Sequence, residues 1–330
     1  MIAAPVLDAD PAAIRTAGEL GAGGILLLGS VPPPSVLASR LGAAGESPAP
    51  LVMADEEGGG VQRLLPDVQS IPWPREMART MTTTAVAALA AEVGAQMRQA
   101  GVDVDLAPVL DVDGGLGPSA TDPDGSRSFS ADPQTAASYG VAFMQGLQRS
   151  GVLAVVKHFP GLGGSSGNTD YGPASTEPFS SLETGGLVPF RRAFAAGARA
   201  VMVANATVPG LSAGPASLSP AVIGGLLRSQ LGFSGLVITD SLSAGAVAEA
   251  GFGVPAAAAA AVRAGADMVL FGSTLTPAAT AALAPAAMAS TLRAAVAAID
   301  GAVADGSISY SRLDAAVEEV LAAKGADLCP

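Results

Sequence analysis

The chain has 330 residues, 49% of them hydrophobic and only 14% charged. That exceeds an ordinary domain of about 100–200 residues but suits one large α/β barrel, which runs to roughly 250 residues or more. With 17 Lys+Arg against 29 Asp+Glu and a net charge of −12, no basic run exists to neutralise phosphates, which argues against nucleic acid as a partner.

Eight short apolar runs follow one another: Ile2–Leu7, Gly24–Leu28, Leu51–Ala54, Val102–Ala107, Leu153–Val156, Ala200–Ala204, Leu236–Thr239 and Met268–Phe271. Continuous apolarity, rather than alternation, fits strands buried on both faces of a parallel sheet. Segments with helical spacing lie between them. Ala12–Leu20 and Ser35–Leu41 are short. Thr84–Gln99 has Thr84 as its expected N-cap, and Pro133–Gln148 follows Asp132, a capping residue with proline at the first helical position. Leu187–Ala196, Pro220–Leu231, Ala246–Ala264, Ala281–Ile299 and Ser311–Lys324 complete the set. Strand then helix, eight times, predicts a (β/α)8 TIM-type barrel over a single domain, residues 1–330. A doubly wound open sheet is the runner-up, weakened by the lack of a dinucleotide-type glycine fingerprint.

The glycines and prolines are spread between apolar runs, against disorder. One cysteine, Cys329, and one histidine, His158, allow neither an intrachain disulfide nor a Cys/His metal cluster. No uninterrupted apolar stretch of about 18 residues occurs, so no membrane span is expected. The sequence opens on a strand-like segment and shows no signal-peptide pattern, which leaves both a cytoplasmic and an extracytoplasmic location open as expectations.

In a barrel of this kind chemistry sits where strands end and loops begin. The third run is followed by Asp55-Glu56-Glu57-Gly58-Gly59-Gly60-Val61-Gln62-Arg63. The fourth leads to Asp111-Val112-Asp113 and a long loop to Ser126-Arg127-Ser128-Phe129. The fifth ends at Lys157-His158 and a glycine-rich loop closing on Asn168-Thr169-Asp170. Asn205 follows the sixth and Asp240-Ser241 the seventh. These carboxylates, guanidiniums, ammonium and imidazole have no metal-cage character and supply no Ser-His-Asp set. Two carboxylates among planar, charged donors suit a sugar ring and glycoside hydrolysis, which needs a nucleophile and a proton donor.

These motifs resemble glycoside hydrolase family 3, specifically single-domain β-N-acetylglucosaminidases that trim peptidoglycan fragments. Asp55 through Arg63 looks like the family's D-x-E-G-G-x-V-x-R segment, and Asp105-Leu106-Ala107-Pro108-Val109-Leu110-Asp111-Val112 like its N-x-A-P-V-x-D-V segment. Ser126-Arg127-Ser128-Phe129, Lys157-His158-Phe159-Pro160-Gly161 and Gly235 through Ser243 are similar to its arginine loop, hallmark and nucleophile strand. The resemblance implies Asp240 as nucleophile, Asp55 as acceptor of sugar hydroxyls, and Arg63, Arg127, Lys157 and His158 as further ring ligands. It implies no cofactor, no metal, and a small carbohydrate or muropeptide as substrate. The bland alternatives are a buried ion network joining Asp55 and Asp240 to Arg127 or Lys157, a surface role for Arg63, and a structural brace for His158.

One departure matters. The family's Asp-x-His pair, whose histidine is the general acid/base, falls on Asn168 and Asp170 here. Leu162 and Asn205 stand where relatives often carry further histidines. Three readings follow: Asp170 replaces the histidine, only good leaving groups are cleaved, or the barrel binds an amino sugar without turnover. Phosphorolysis is a further option, because phosphate needs no strong base. The glycines of Gly163–Asn168 suggest a mobile loop that gates the acid.

Overall fold

The computed structural model describes residues 1–42 and 49–325. Cys329, on which the disulfide argument turned, lies outside them. The barrel strands are β1 (Ile2–Leu7), β2 (Gly24–Leu28), β3 (Leu51–Ala54), β4 (Val104–Asp105), β5 (Leu153–Phe159), β6 (Ala200–Val203), β7 (Leu236–Thr239) and β8 (Val269–Leu270). They form one parallel eight-stranded sheet in the order β8-β1-β2-β3-β4-β5-β6-β7. A parallel bridge between Ile238 and Met268 joins the two edges, giving the (β/α)8 barrel.

The strands look uniformly apolar in sequence because both faces are buried, yet the structure splits them with period two. Ile2, Ala4 and Val6 belong to the outer core beneath the helices, while Ala3 belongs to the inner one. The barrel interior is filled by side chains including Leu26, Leu51, Met53, Val104, Leu153, Val155, Met202, Leu236, Ile238 and Leu270. It is a packed core, so the open end must be the site.

Most helices match expectation within a residue or two. The helix Thr83–Gln99 is capped not by Thr84 but by Thr82, and the Thr82 hydroxyl accepts from the Ala85 amide. Asp132 caps Pro133–Arg149 as expected. The span 246–264 is two helices, Gly245–Glu249 and Val254–Ala264, parted at Gly251 with its positive φ and Gly253 at the second helix's N-cap. The predicted 281–299 helix is instead Pro277–Ala281 and Pro285–Ala304, divided by Pro285. The latter is, among the described residues, long and apolar enough by length and composition to cross a membrane. Its Met288, Leu292, Ala295 and Ile299 pack in the outer core.

Candidate active site

Period two explains how two aspartates reach the barrel mouth. Leu51 and Met53 face the axis, so Asp55 does too; Leu236 and Ile238 do the same for Asp240. Both line a cavity of about 460 Å³ at the C-terminal ends of the strands, with Arg63, Arg127, Lys157, His158 and Asp170. All seven expected site residues are thus brought together.

Lys157 and His158 are neighbours, so a regular strand would point them to opposite faces. The β5–β6 register shifts between Val156 and Phe159, and both side chains line the cavity. Lys157 Nζ meets Asp55 Oδ1 at 2.8 Å and Glu57 Oε1 at 2.6 Å. Arg127 closes a fork on the same Glu57, with Nε and Nη2 each 2.8 Å from its oxygens. Burial raises the Glu57 carboxyl, but the Arg127 and Lys157 charges outweigh it and hold that group well below the usual range. Burial pulls Lys157 down, and Asp55 with Glu57 more than offset this, so it stays a cation. The ion-network alternative therefore describes Asp55 but not Asp240, which makes no ion pair among the described residues.

His158 Nδ1 lies 2.6 Å from Asp111 Oδ2, and the Asp111 oxygens also accept the His158 and Leu162 amides. This clamp fixes the imidazole against the cavity and gives Leu162 its place. Burial pushes Asp111 up to about 7 and His158 down to about 4, so the buried imidazole is neutral at pH above about 4. Asp124 stands behind, fully buried, 4.0 Å from His158 Nδ1 and 3.8 Å from Arg127 Nη1, with neither oxygen hydrogen-bonded among the described residues. Burial and the Asp111 charge push its carboxyl well above the usual range. Asp111, Asp124 and His158 bring ligand atoms within 4.8 Å of one another. The His158 nitrogen and both Asp111 oxygens are already engaged in hydrogen bonds, which makes this a hydrogen-bonded cluster rather than an open cation cage.

Asp240 accepts the Ser241 amide at 2.6 Å. Burial raises its pKa, His158 lowers it, and the Asp170 charge raises it further. Asp170 is also raised by burial. The two acids thus share one electrostatic environment. Asn205, a possible ligand by position, is instead a brace: its Nδ2 donates to Ser241 O at 2.8 Å and its Oδ1 accepts from Ser217 Oγ at 2.6 Å.

The glycine-rich loop is hydrogen-bonded along its length. Gly164 donates to Asp113 Oδ2, Ser166 to Ser175 O, and the Asn168 amide nitrogen to Ser119 O. The carbonyls of Thr169 and Asp170 accept from Ala246 and Gly245, which ties the loop to the segment after β7. A Cβ at Gly163 would meet Val112 O at 2.1 Å, so this glycine serves close packing. The loop expected to act as a gate is thus hydrogen-bonded to three neighbouring segments.

Glu57 received no role from sequence, although a second acid after a strand end was visible beside two cationic loops. Arg75 was passed over as well. It donates to the carbonyls of Ser128 and Gly125 at 3.1 and 2.8 Å and to that of Asp113, and so shapes the Arg127 loop. Only an acceptor list drawn from distant loops reveals it.

Comparison with known proteins gives a consistent picture. Residues 37–323 match the glycosyl hydrolase family 3 N terminal domain. Beta-hexosaminidase LpqI of Mycobacterium tuberculosis (strain ATCC 25618 / H37Rv) is 42% identical over 239 residues, covering 70% of this chain and 61% of that protein. The match therefore spans less than two thirds of that relative's length. A glycosyl hydrolase of the GH3 family from Mycobacterium smegmatis str. MC2 155 superposes with a TM-score of 0.84 at 36% identity, over 98% of this chain and 94% of that one. Beta-N-acetylhexosaminidase from Beutenbergia cavernae DSM 12333 gives 0.83 at 30% identity, over 98% and 96%. Eight parallel strands, a cavity at their C-terminal ends and these matches lead to one conclusion: the chain belongs to glycosyl hydrolase family 3.

Proposed function

We propose that this protein is a retaining glycosidase for β-linked N-acetylglucosamine-type sugars, acting as one domain on peptidoglycan fragments or related glycosides. The observation that carries the reading is the placement of Asp240 and Asp170 in one cavity, electrostatically coupled, beside the Asp55–Lys157–Glu57–Arg127 chain. Asp240 attacks the anomeric carbon as the bond to the leaving oxygen breaks, and Asp170 gives that oxygen its proton. Asp170 then takes a proton from water, which attacks the glycosyl–Asp240 ester and restores both acids. Asp55, Arg63, Arg127, Lys157 and His158 orient the ring hydroxyls. The names of the relatives, hexosaminidases, support an amino sugar.

The loop carries no imidazole, and this favours a second reading, amino-sugar binding without turnover. An activated aryl N-acetylglucosaminide separates the two. Release of the aryl group by wild type but not by Asp240→Ala supports hydrolysis. Saturable binding with no release in either leaves the binding reading. A rate that depends on added phosphate would replace hydrolysis by phosphorolysis.

A further inference from the structure

The two oxygens of Asp240 are not equivalent. Oδ1 accepts the Ser241 amide at 2.6 Å, whereas Oδ2 makes no hydrogen bond or ion pair among the described residues and stays open to the cavity that Asp240 lines. An oxygen that already shares a lone pair with an N–H is the poorer nucleophile, so Oδ2 is the one able to attack. Its direction is set by the peptide unit between Asp240 and Ser241, because that unit supplies the N–H gripping Oδ1.

The peptides on either side of that unit are clamped by the neighbouring strands. The Asp240 amide donates to Val203 O of β6 and the Leu242 amide to Leu270 O of β8, each at 2.9 Å. The Ser241 carbonyl accepts Asn205 Nδ2 at 2.8 Å and the Ala244 amide at 3.1 Å, and the Ser241 hydroxyl donates to Gly272 O at 2.9 Å. Asn205 is the one side chain that reaches this turn from the β6 segment. Its place calls for a donor and an acceptor together, which an amide supplies: Nδ2 serves Ser241, and Oδ1 accepts Ser217 Oγ at 2.6 Å. Ser217 is stitched to the same segment, with the Ala216 amide on Ala206 O and its own amide on Ala204 O, each at 2.9 Å. Asn205 is 1% exposed and Ser217 0%, so water does not compete for these bonds.

The proposed ring ligands take no part in this chain. Asp55, Lys157 and Arg127 are joined through Glu57, and His158 is held by Asp111. The Ser217–Asn205–Ser241 chain thus bears on the chemistry through the backbone that carries the nucleophile. From this we infer that Asn205 and Ser217 are positioning residues that fix Asp240 so that Oδ2 faces the anomeric carbon; the inference rests on the glycosidase reading above. Oδ2 gives an electron pair to that carbon as its bond to the leaving oxygen breaks, and the leaving oxygen takes the Asp170 proton.

The test isolates the attack. A 5-fluoro-N-acetylglucosaminyl fluoride loads the nucleophile and is then hydrolysed slowly, and fluoride departs without needing the Asp170 proton. Intact-protein mass would follow loading against reagent concentration in wild type, Asn205→Leu and Ser217→Ala, with Tm recorded for each. Asn205→Leu keeps the size of the side chain and removes both hydrogen bonds. Its limiting loading rate should fall by about 10–10²-fold, the scale of a misplacement of about 1 Å. The concentration giving half that rate should stay within about twofold of wild type, since the ring ligands are untouched. Ser217→Ala frees one end of the Asn205 amide and should show a smaller fall in the same limiting rate; it decides alone where Asn205→Leu does not fold. A lowered Tm with an unchanged limiting rate, or a loss confined to the half-saturating concentration, overturns the inference and leaves the glycosidase reading standing. Wild type that acquires no label on Asp240 overturns that reading and takes this inference with it.

Discussion

Replacing Asp170 by asparagine keeps the size of the side chain and removes its proton. General acid assistance is worth about 10²–10⁴-fold, so Asp170→Asn should lower kcat/KM by that order on a poor leaving group and far less on an activated one. The pH profile is a sharper test. Turnover needs Asp240 ionised and Asp170 protonated. Burial raises both, and the Asp170 charge raises Asp240 further, so both limbs should lie above the ordinary carboxylate range near about 4. In Asp170→Asn the high-pH limb should disappear and the low-pH limb should move to lower pH, because the like charge is gone. Persistence of the high-pH limb would remove Asp170 from the acid's role. Glu57 makes a stability prediction. Its folded pKa is depressed, so its contribution is full above the unfolded value near about 4.3 and is lost as pH falls below it. Glu57→Gln leaves two buried cations underpaired, and urea titration at neutral pH should show a loss of about 3–5 kcal/mol.

Among the elements, the acid loop is the one to perturb. Gly163→Ala presses a methyl group against the Val112 carbonyl, and overpacking of this kind costs about 1–3 kcal/mol. The expected result is a lower Tm and a fall in kcat/KM on poor leaving groups in parallel with Asp170→Asn. Unchanged turnover would mean that the wall shifts without carrying Asp170 along. The elements also show where sequence reasoning holds. Strand ends were legible because a doubly buried strand is apolar until the residue that leaves the barrel, and period two then aims Asp55 and Asp240 inward. The pairing of Lys157 and His158 at one strand end was legible from the motif, but how two neighbours reach the same cavity was not, since it depends on a register shift against a strand some forty residues away. The order of the glycine-rich loop was hidden for a related reason: its partners Ser119 and Ala246 lie far off in sequence. Nothing local marked Asp124 for burial.

Over the whole molecule, the end of the barrel away from the mouth carries a stabilising network that takes no part in the site's chemistry. Away from the mouth, the buried Asp267 accepts from Arg228 Nη2 at 2.6 Å, Arg312 Nη2 at 2.5 Å and the Val237 amide at 2.8 Å. This ties β7 to the C-terminal helix Tyr310–Ala323. Asp267→Ala should destabilise the fold by about 3–5 kcal/mol, measured by urea titration, while kcat/KM of the folded fraction stays at the wild-type value. A matching loss of kcat/KM would show that the two ends are coupled.

The main-chain stitching of the acid loop has a practical corollary. Its course is set by the amides of Gly245 and Ala246, by carbonyls, and by the Asp113 and Asn168 side chains, none of them the side chain of residue 170. An imidazole placed there by Asp170→His would inherit the same address, so the proton donor can be traded for another without redrawing the wall around it.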